Sequence, residues 1–384
     1  MKTLAAVLTC CALLGACATP PPAAPDASLF ADARFAPPSQ PVRAADVFAV
    51  SPQMKAYLAN GVASRLLAHG RTETLVEALY KPGELRLEYD SAMTRNAAQA
   101  FAARSGNCLS LVIMTAAFAK ELGVPVRFQS VVTDELWGRN GGIDFVIDHI
   151  NITLGQRIGG ARWAGPFTES VTIDFLPPAN LRGQKQVVLD EATVLAMYMN
   201  NRAAESLAAG HIDDAYWFAR EALLQDPGFV RSLNTLGVVY RRHGDLAEAE
   251  RTLRAAYARQ PENPQIVFNL AQVLVERGQA GEAQALRTRL AQLQPEAPFG
   301  YFDRGRLALR NGDAKAARDL FQREVDRAPY NPEFHYWLAV AHARLGDIPA
   351  ARQQLEQALE ASSTRHDRDL YAAKLERFSQ HVTQ

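Results

Sequence analysis

An excess of either charge is missing from this sequence: Lys+Arg and Asp+Glu both number 41 in 384 residues, for a formal net charge of zero. Nucleic-acid-binding domains show a basic excess or stripe, so the balance argues against a nucleic-acid partner and leaves room only for a small local patch. Long hydrophobic runs are also missing. Beyond the first sixteen residues nothing approaches the roughly 20 apolar residues of a membrane span, which excludes a transmembrane transporter or channel. Cysteine is scarce, with four residues at positions 10, 11, 17 and 108. The histidines of the C-terminal half (211, 243, 335, 342, 366 and 381) follow no recurring ligand spacing, so no metal site and no cofactor are expected. What is present, 48% hydrophobic and 21% charged residues, is the composition of an ordinary globular chain, and its length suggests two or three domains.

Met1-Lys2 and the apolar run from Leu4 to Gly15 have the form of a secretory leader. The run ends in Leu14-Gly15-Ala16-Cys17, which resembles the lipobox of bacterial lipoproteins. The resemblance implies cleavage after residue 16 and lipidation of Cys17. Ala18 follows in place of an acidic residue, which implies sorting to the periplasmic face of the outer membrane. Membrane contact would then be through the lipid anchor alone, each buried methylene contributing about 0.8 kcal/mol. Cys108 would remain as the one thiol of the processed chain, unable to form an internal disulfide and therefore either inert or reactive by design. Residues 17–44 hold seven prolines (20, 21, 22, 25, 37, 38 and 41) and are expected to form an extended, semi-rigid tether.

The C-terminal half repeats. Pro227, Pro261, Pro295 and Pro329 are spaced by 34 residues, as are Gly210, Gly244, Gly278, Gly312 and Gly346, each glycine followed five positions later by an alanine. This is the tetratricopeptide pattern. It places five repeats over 196–365 and a capping helix over 366–384, and predicts an all-α solenoid whose concave groove takes a protein partner or an extended peptide. Arg202, Arg241, Arg242, Tyr301, Arg304, Arg306 and Asn269 are candidates for that face.

The chemistry is expected between them, over 45–190. Residues 51–79 read as helical, with Met54, Leu58, Val62, Leu66 and Leu67 on one face. Gly106-Asn107 then precedes Cys108 and an apolar run that Gly123 closes as a C-cap. A cysteine at a helix N-terminus has the macrodipole and free N–H groups that favour a thiolate, and such groups can also hold an oxyanion. Three strands are expected to follow: 124–132, 145–154 carrying His149, and 170–176 with Asp174 at its centre, where an acidic side chain needs a partner. Trp137 to Gly142 reads as a flexible loop.

Helix-borne Cys, strand-borne His and next-strand Asp, in the motifs Gly106-Asn107-Cys108-Leu109-Ser110, His149-Ile150-Asn151 and Asp174-Phe175, resemble the bacterial branch of the transglutaminase-like, papain-related superfamily, whose members often carry tetratricopeptide repeats downstream. The resemblance implies an α+β papain/transglutaminase-like domain ahead of the solenoid. It also implies a Cys108–His149–Asp174 triad that transfers acyl groups from the amide bonds of a peptide or protein substrate. Backbone N–H of Cys108 and the Asn107 side chain are the candidate oxyanion donors. Asn151 and Asp148 flank the histidine as alternative partners. Hydrolysis is expected over transamidation, because water is always at hand and no amine pocket is readable. The competing expectation is a scaffold whose cysteine domain is a non-catalytic docking module.

Overall fold

A helix without a polar face has to be buried, and the segment that starts at Cys108 has none. In the computed structural model of the chain, which describes residues 26–62, 71–80, 85, 87–91, 93–140, 143–155, 170–175, 185–362 and 364–382, every residue from Cys108 to Ala119 is buried. In chain order the first half comprises α1 (Pro52–Tyr57), continued as a π-helical turn over Leu58–Val62, α2 (Arg71–Tyr80), β1 (Glu88–Tyr89), α3 (Ala97–Ala103), β2 (Ser105–Gly106), α4 (Cys108–Glu121), β3 (Val126–Asn140), β4 (Ile143–Leu154), β5 (Val171–Ile173) and β6 (Lys185–Leu189). Over 51–79, read as helical, the described residues are helical at 52–62 and 71–79, and residues 63–70, with Leu66 and Leu67, lie outside the described residues.

The last four strands form one antiparallel sheet in the order β5-β4-β3-β6. Helix α4 packs on β4 and α3, with Phe118 edge-on to Phe101 at 5.6 Å. Three elements differ from expectation. Trp137 to Asn140 are not a loop but the end of β3, paired with Val146 to Ile143; Gly141 and Gly142 lie outside the described residues. Strand β6, unforeseen, adds an edge. Strand β5 stops at Ile173, so Asp174 follows the strand and is not centred in it.

The second half is helical throughout: α5 (Glu191–Ala208), α6 (Ile212–Gln225), α7 (Val230–His243), α8 (Leu246–Arg259), α9 (Pro264–Glu276), α10 (Ala280–Leu293), α11 (Gly300–Arg310), α12 (Ala314–Arg327), α13 (Pro332–Arg344), α14 (Ile348–Ala361) and α15 (Arg365–Val382). Successive helices pair as the 34-residue period requires, except α10 and α11, which touch only slightly. Gly237 shows why small residues recur: a Cβ there would stand 2.5 Å from the Leu253 side chain of the partner helix.

Among the described residues two hydrophobic clusters form the core. The larger runs without a break from Leu29 through α4 and the sheet into α5–α10. The smaller joins α11–α13, and Trp137 from the β3–β4 hairpin packs against it. Arg139 of the same hairpin pairs with Asp303 at 3.0 Å and lies 4.2 Å from the centre of the Phe299 ring. Residues 26–44, expected to be an extended tether, form short 3-10 turns and lie on the solenoid, with Leu29 and Phe35 each only 6% exposed. The prolines of this segment, 37, 38 and 41, follow its first two 3-10 turns, and the apolar side chains of Leu29 and Phe35 ahead of them are buried. Residues 1–25, with Cys17, lie outside the described residues.

Candidate active site

The turn before Cys108 is built by its neighbours. A Cβ on Gly106 would meet Ser110 Cβ at 2.6 Å, so only glycine fits there. Asn107 is the N-cap of α4: its Oδ1 accepts from the Ser110 N–H at 2.9 Å and from the Ser110 hydroxyl at 2.7 Å. Its Nδ2 donates to Thr94 Oγ1 at 2.9 Å, and the Arg95 N–H donates to Ser110 Oγ at 2.8 Å. The Asn107 carboxamide, expected as an oxyanion donor, is therefore engaged in capping the helix and in tying it to Thr94. Gly106, Asn107 and Ser110 account for the shape of the turn, which sets Cys108, 4% exposed, at the first helical position.

Support reaches this turn from the solenoid. Thr94 is buried; its N–H donates to Glu205 Oε1 on α5 at 2.7 Å, and its Oγ1 accepts from Asn201 Nδ2 at 3.3 Å. Burial raises the Glu205 carboxyl above its ordinary pKa, against the opposing effect of its bonds from Thr94 and Arg202.

Strand β4 carries His149 and Asn151 on one face by its two-residue period. His149 is 1% exposed. Its Nε2 lies 2.8 Å from Asp174 Oδ2, and Asn151 Nδ2 donates to the same oxygen at 3.2 Å. Facing a carboxylate, Nε2 carries a proton, which directs Nδ1 away from Asp174. The buried Nδ1 closes no hydrogen bond of good geometry, yet the Cys108 thiol approaches closely enough to act on the ring. Burial alone would lower the imidazole pKa. The hydrogen bond to Asp174, the Cys108 contact and the charges of both outweigh it, and the pKa is pushed up to about 9. The side chain of Asp148 lies outside those described.

Tyr89 is a neighbour that the motifs do not reveal. Strand β1 pairs it with Gly106, and its hydroxyl accepts a hydrogen bond from the Cys108 backbone N–H. Burial pushes the phenol pKa up, Cys108 and Asp90 add to the rise, and the N–H bond opposes it. The N–H expected to await an oxyanion is thus held by Tyr89. Only the pairing of two two-residue strands brings this residue in, and no local sequence signal marks it.

The candidate groove residues do not converge on one point. Arg202 pairs with Glu205, Arg241 with Glu276, and Arg304 with Glu296. Asn269 bonds Asn234 across repeats at 2.9 Å. Tyr301 is overlaid by Arg304, Arg306 lies over Trp337, and Arg242 is exposed. Among the described residues no group of three or more His, Cys, Asp or Glu is arranged to hold a metal ion, and no helix is long and apolar enough to cross a membrane.

Comparison with known proteins agrees with the helical half. Family models of the tetratricopeptide repeat match residues 240–299 and 302–366. The C-terminal part of the chain is a tetratricopeptide solenoid. Among solved structures it is similar to TTC0263, a tetratricopeptide protein of Thermus thermophilus (20% identity, 47% of this chain and 98% of that one, TM-score 0.29). It is also similar to YrrB, described as having an unusual peptide-binding site (22% identity, 47% and 92%, TM-score 0.26). A third likeness is to MamA (18% identity, 45% and 93%, TM-score 0.26). No curated protein matches the chain.

Proposed function

We propose that the chain is a papain-like, transglutaminase-related acyl-transfer enzyme acting on amide bonds of a peptide or protein, with its repeats engaging substrate or a protein partner. One observation carries the reading: a buried imidazole stands between the Asp174 carboxylate and a cysteine at a helix N-terminus. The Cys108 proton passes to His149 Nδ1 before attack, giving the thiolate–imidazolium pair that the raised imidazole pKa favours, and the thiolate sulfur then attacks the amide carbonyl carbon. The C–N bond breaks as Nδ1 returns that proton to the leaving amine, and a thioester remains on Cys108. Water adds to the thioester and releases the acid and the free thiol. Asp174 holds the Nε2 proton throughout and stabilises the imidazolium. The lipobox resemblance adds the proposal that Cys17 anchors the protein in the bacterial envelope at the outer membrane.

A second reading, a partner-binding scaffold, is favoured by one feature: Cys108 is 4% exposed and its N–H is already bonded to Tyr89. An activated ester separates the two. Treated with p-nitrophenyl acetate, the wild-type chain is expected to carry one acetyl group on the tryptic peptide 105–120, and His149→Ala to acquire it at least about a hundredfold more slowly, the scale of lost general-base catalysis. Equal acetylation of wild type and His149→Ala would leave the scaffold.

A further inference from the structure

Residues 26–39 are held on the first two repeats in a way that a passive tether does not need. The N–H groups of Ala31, Ala36 and Ser39 donate to the Tyr216 hydroxyl (2.9 Å), Asp213 (2.9 Å) and Asp214 (2.7 Å). The carbonyls of Leu29 and Ala36 accept from the Tyr240 hydroxyl and the Trp217 indole, both at 2.7 Å. Five backbone groups of an irregular segment are thereby read by side chains of α6 and α7.

The segment's own side chains are also seated. Asp32 Oδ1 accepts from the Tyr216 hydroxyl and from Arg220 Nε, the latter at 2.9 Å. Phe35 stacks flat on Tyr216, with centroids 3.9 Å apart and planes 3° apart, beside His243 at 4.4 Å. A buried aromatic anchor with a few fixed polar groups around it is how a protein surface recognises a ligand. Tyr216 and Tyr240 are fully buried and Asp214 is 7% exposed with the segment in place. Emptied, the surface would expose two phenols and deprive Asp213 and Asp214 of the backbone donors they now hold.

We propose that α6 and the α7–α8 corner form a receptor for a peptide whose carboxylate and aromatic ring stand three residues apart across a 3-10 turn, and that the chain fills this receptor in cis with residues 26–39. The site is closed to a partner peptide until the segment is displaced. This proposal stands independently of the thiol chemistry, since none of its residues belongs to the cysteine site.

The probe is a fluorescent synthetic peptide of residues 26–39, titrated against the full chain and against the full chain carrying Asp32→Ala and Phe35→Ala. A ligand tethered in cis competes at high effective concentration, so the substituted chain is expected to bind the peptide at least about tenfold more tightly than wild type. A peptide with Phe35→Ala should bind neither. Equal binding of the unaltered peptide to both chains, or binding to neither, overturns the proposal. Hydrogen exchange on the wild-type chain gives an arm that no folding defect can confuse. The amides of Ala31, Ala36 and Ser39 should exchange slowly and speed up when excess unlabelled peptide is added; exchange as fast as in the free peptide overturns it. A dimer in solution that Phe35→Ala dissociates would place a second copy's segment in the site and overturn the cis assignment.

Discussion

Replacing Gly106 by Ala puts a Cβ 2.6 Å from Cβ of Ser110, so either Ser110 or the start of α4 must shift. Overpacking of this kind costs about 1–3 kcal/mol. Gly106→Ala is expected to unfold in urea with a stability lower by that amount, and unchanged stability would mean that the turn is looser than described. The imidazole allows a pH test. His149 is pushed up to about 9 in the folded chain, above its ordinary value of about 6.5. It therefore contributes stability that is fully present below about 6.5 and lost as pH rises through about 9. The stability difference between wild type and His149→Gln should shrink over that interval; a difference that stays flat would contradict the raised pKa. At this scale Cys108 and His149 were legible, one from a turn signal before an apolar run and the other from strand alternation. Asp174 was legible as an acidic residue but misplaced. It sits just past the strand end with its side chain 17% exposed, so burial did not demand a partner in the way its sequence context suggested. Tyr89 and Thr94 were illegible, because their contacts depend on which segments meet.

Between elements, the first solenoid helix supports the cysteine helix: Glu205 on α5 holds the Thr94 N–H, and Thr94 holds the Asn107 that caps α4. Glu205→Ala leaves a buried N–H without an acceptor, which costs about 1–3 kcal/mol, and should speed hydrogen exchange at Ser110. Glu205→Gln keeps the acceptor oxygen and should restore both. A glutamine variant as damaged as the alanine one would assign the effect to the carboxylate's charge instead. Element types were readable wherever a period ran long enough, as in α4, β4 and the repeats. The β3–β4 hairpin was not: its Trp137-Gly138-Arg139-Asn140 stretch has the glycine and polar residues of a loop, yet ladder pairing and a seat on Phe299 make it strand. Residues 26–44 misled in the same way, since their prolines describe local backbone preference and their buried Leu29 and Phe35 respond to a distant surface.

For the whole molecule, a 34-residue period read without structure was enough to expect the solenoid, because each repeat contacts mainly its neighbours. The joins to the first half could not be read, because they bring together residues far apart in sequence, among them Arg139 with Asp303, Thr94 with Glu205 and Leu29 with Tyr240. They make the cysteine domain and the repeats one packed body, so the thiol site is held by residues of both halves. The central claim is that Cys108 and His149 act as one ionisable unit. The most direct measurement is the iodoacetamide alkylation rate of Cys108 against pH, followed on tryptic peptide 105–120, in wild type, His149→Ala and Asp174→Asn. The account predicts fast alkylation that persists well below about pH 8.5, the ordinary cysteine range, is lost in His149→Ala and is weakened in Asp174→Asn. A slow rate that titrates as an ordinary thiol and is the same in all three chains would contradict it.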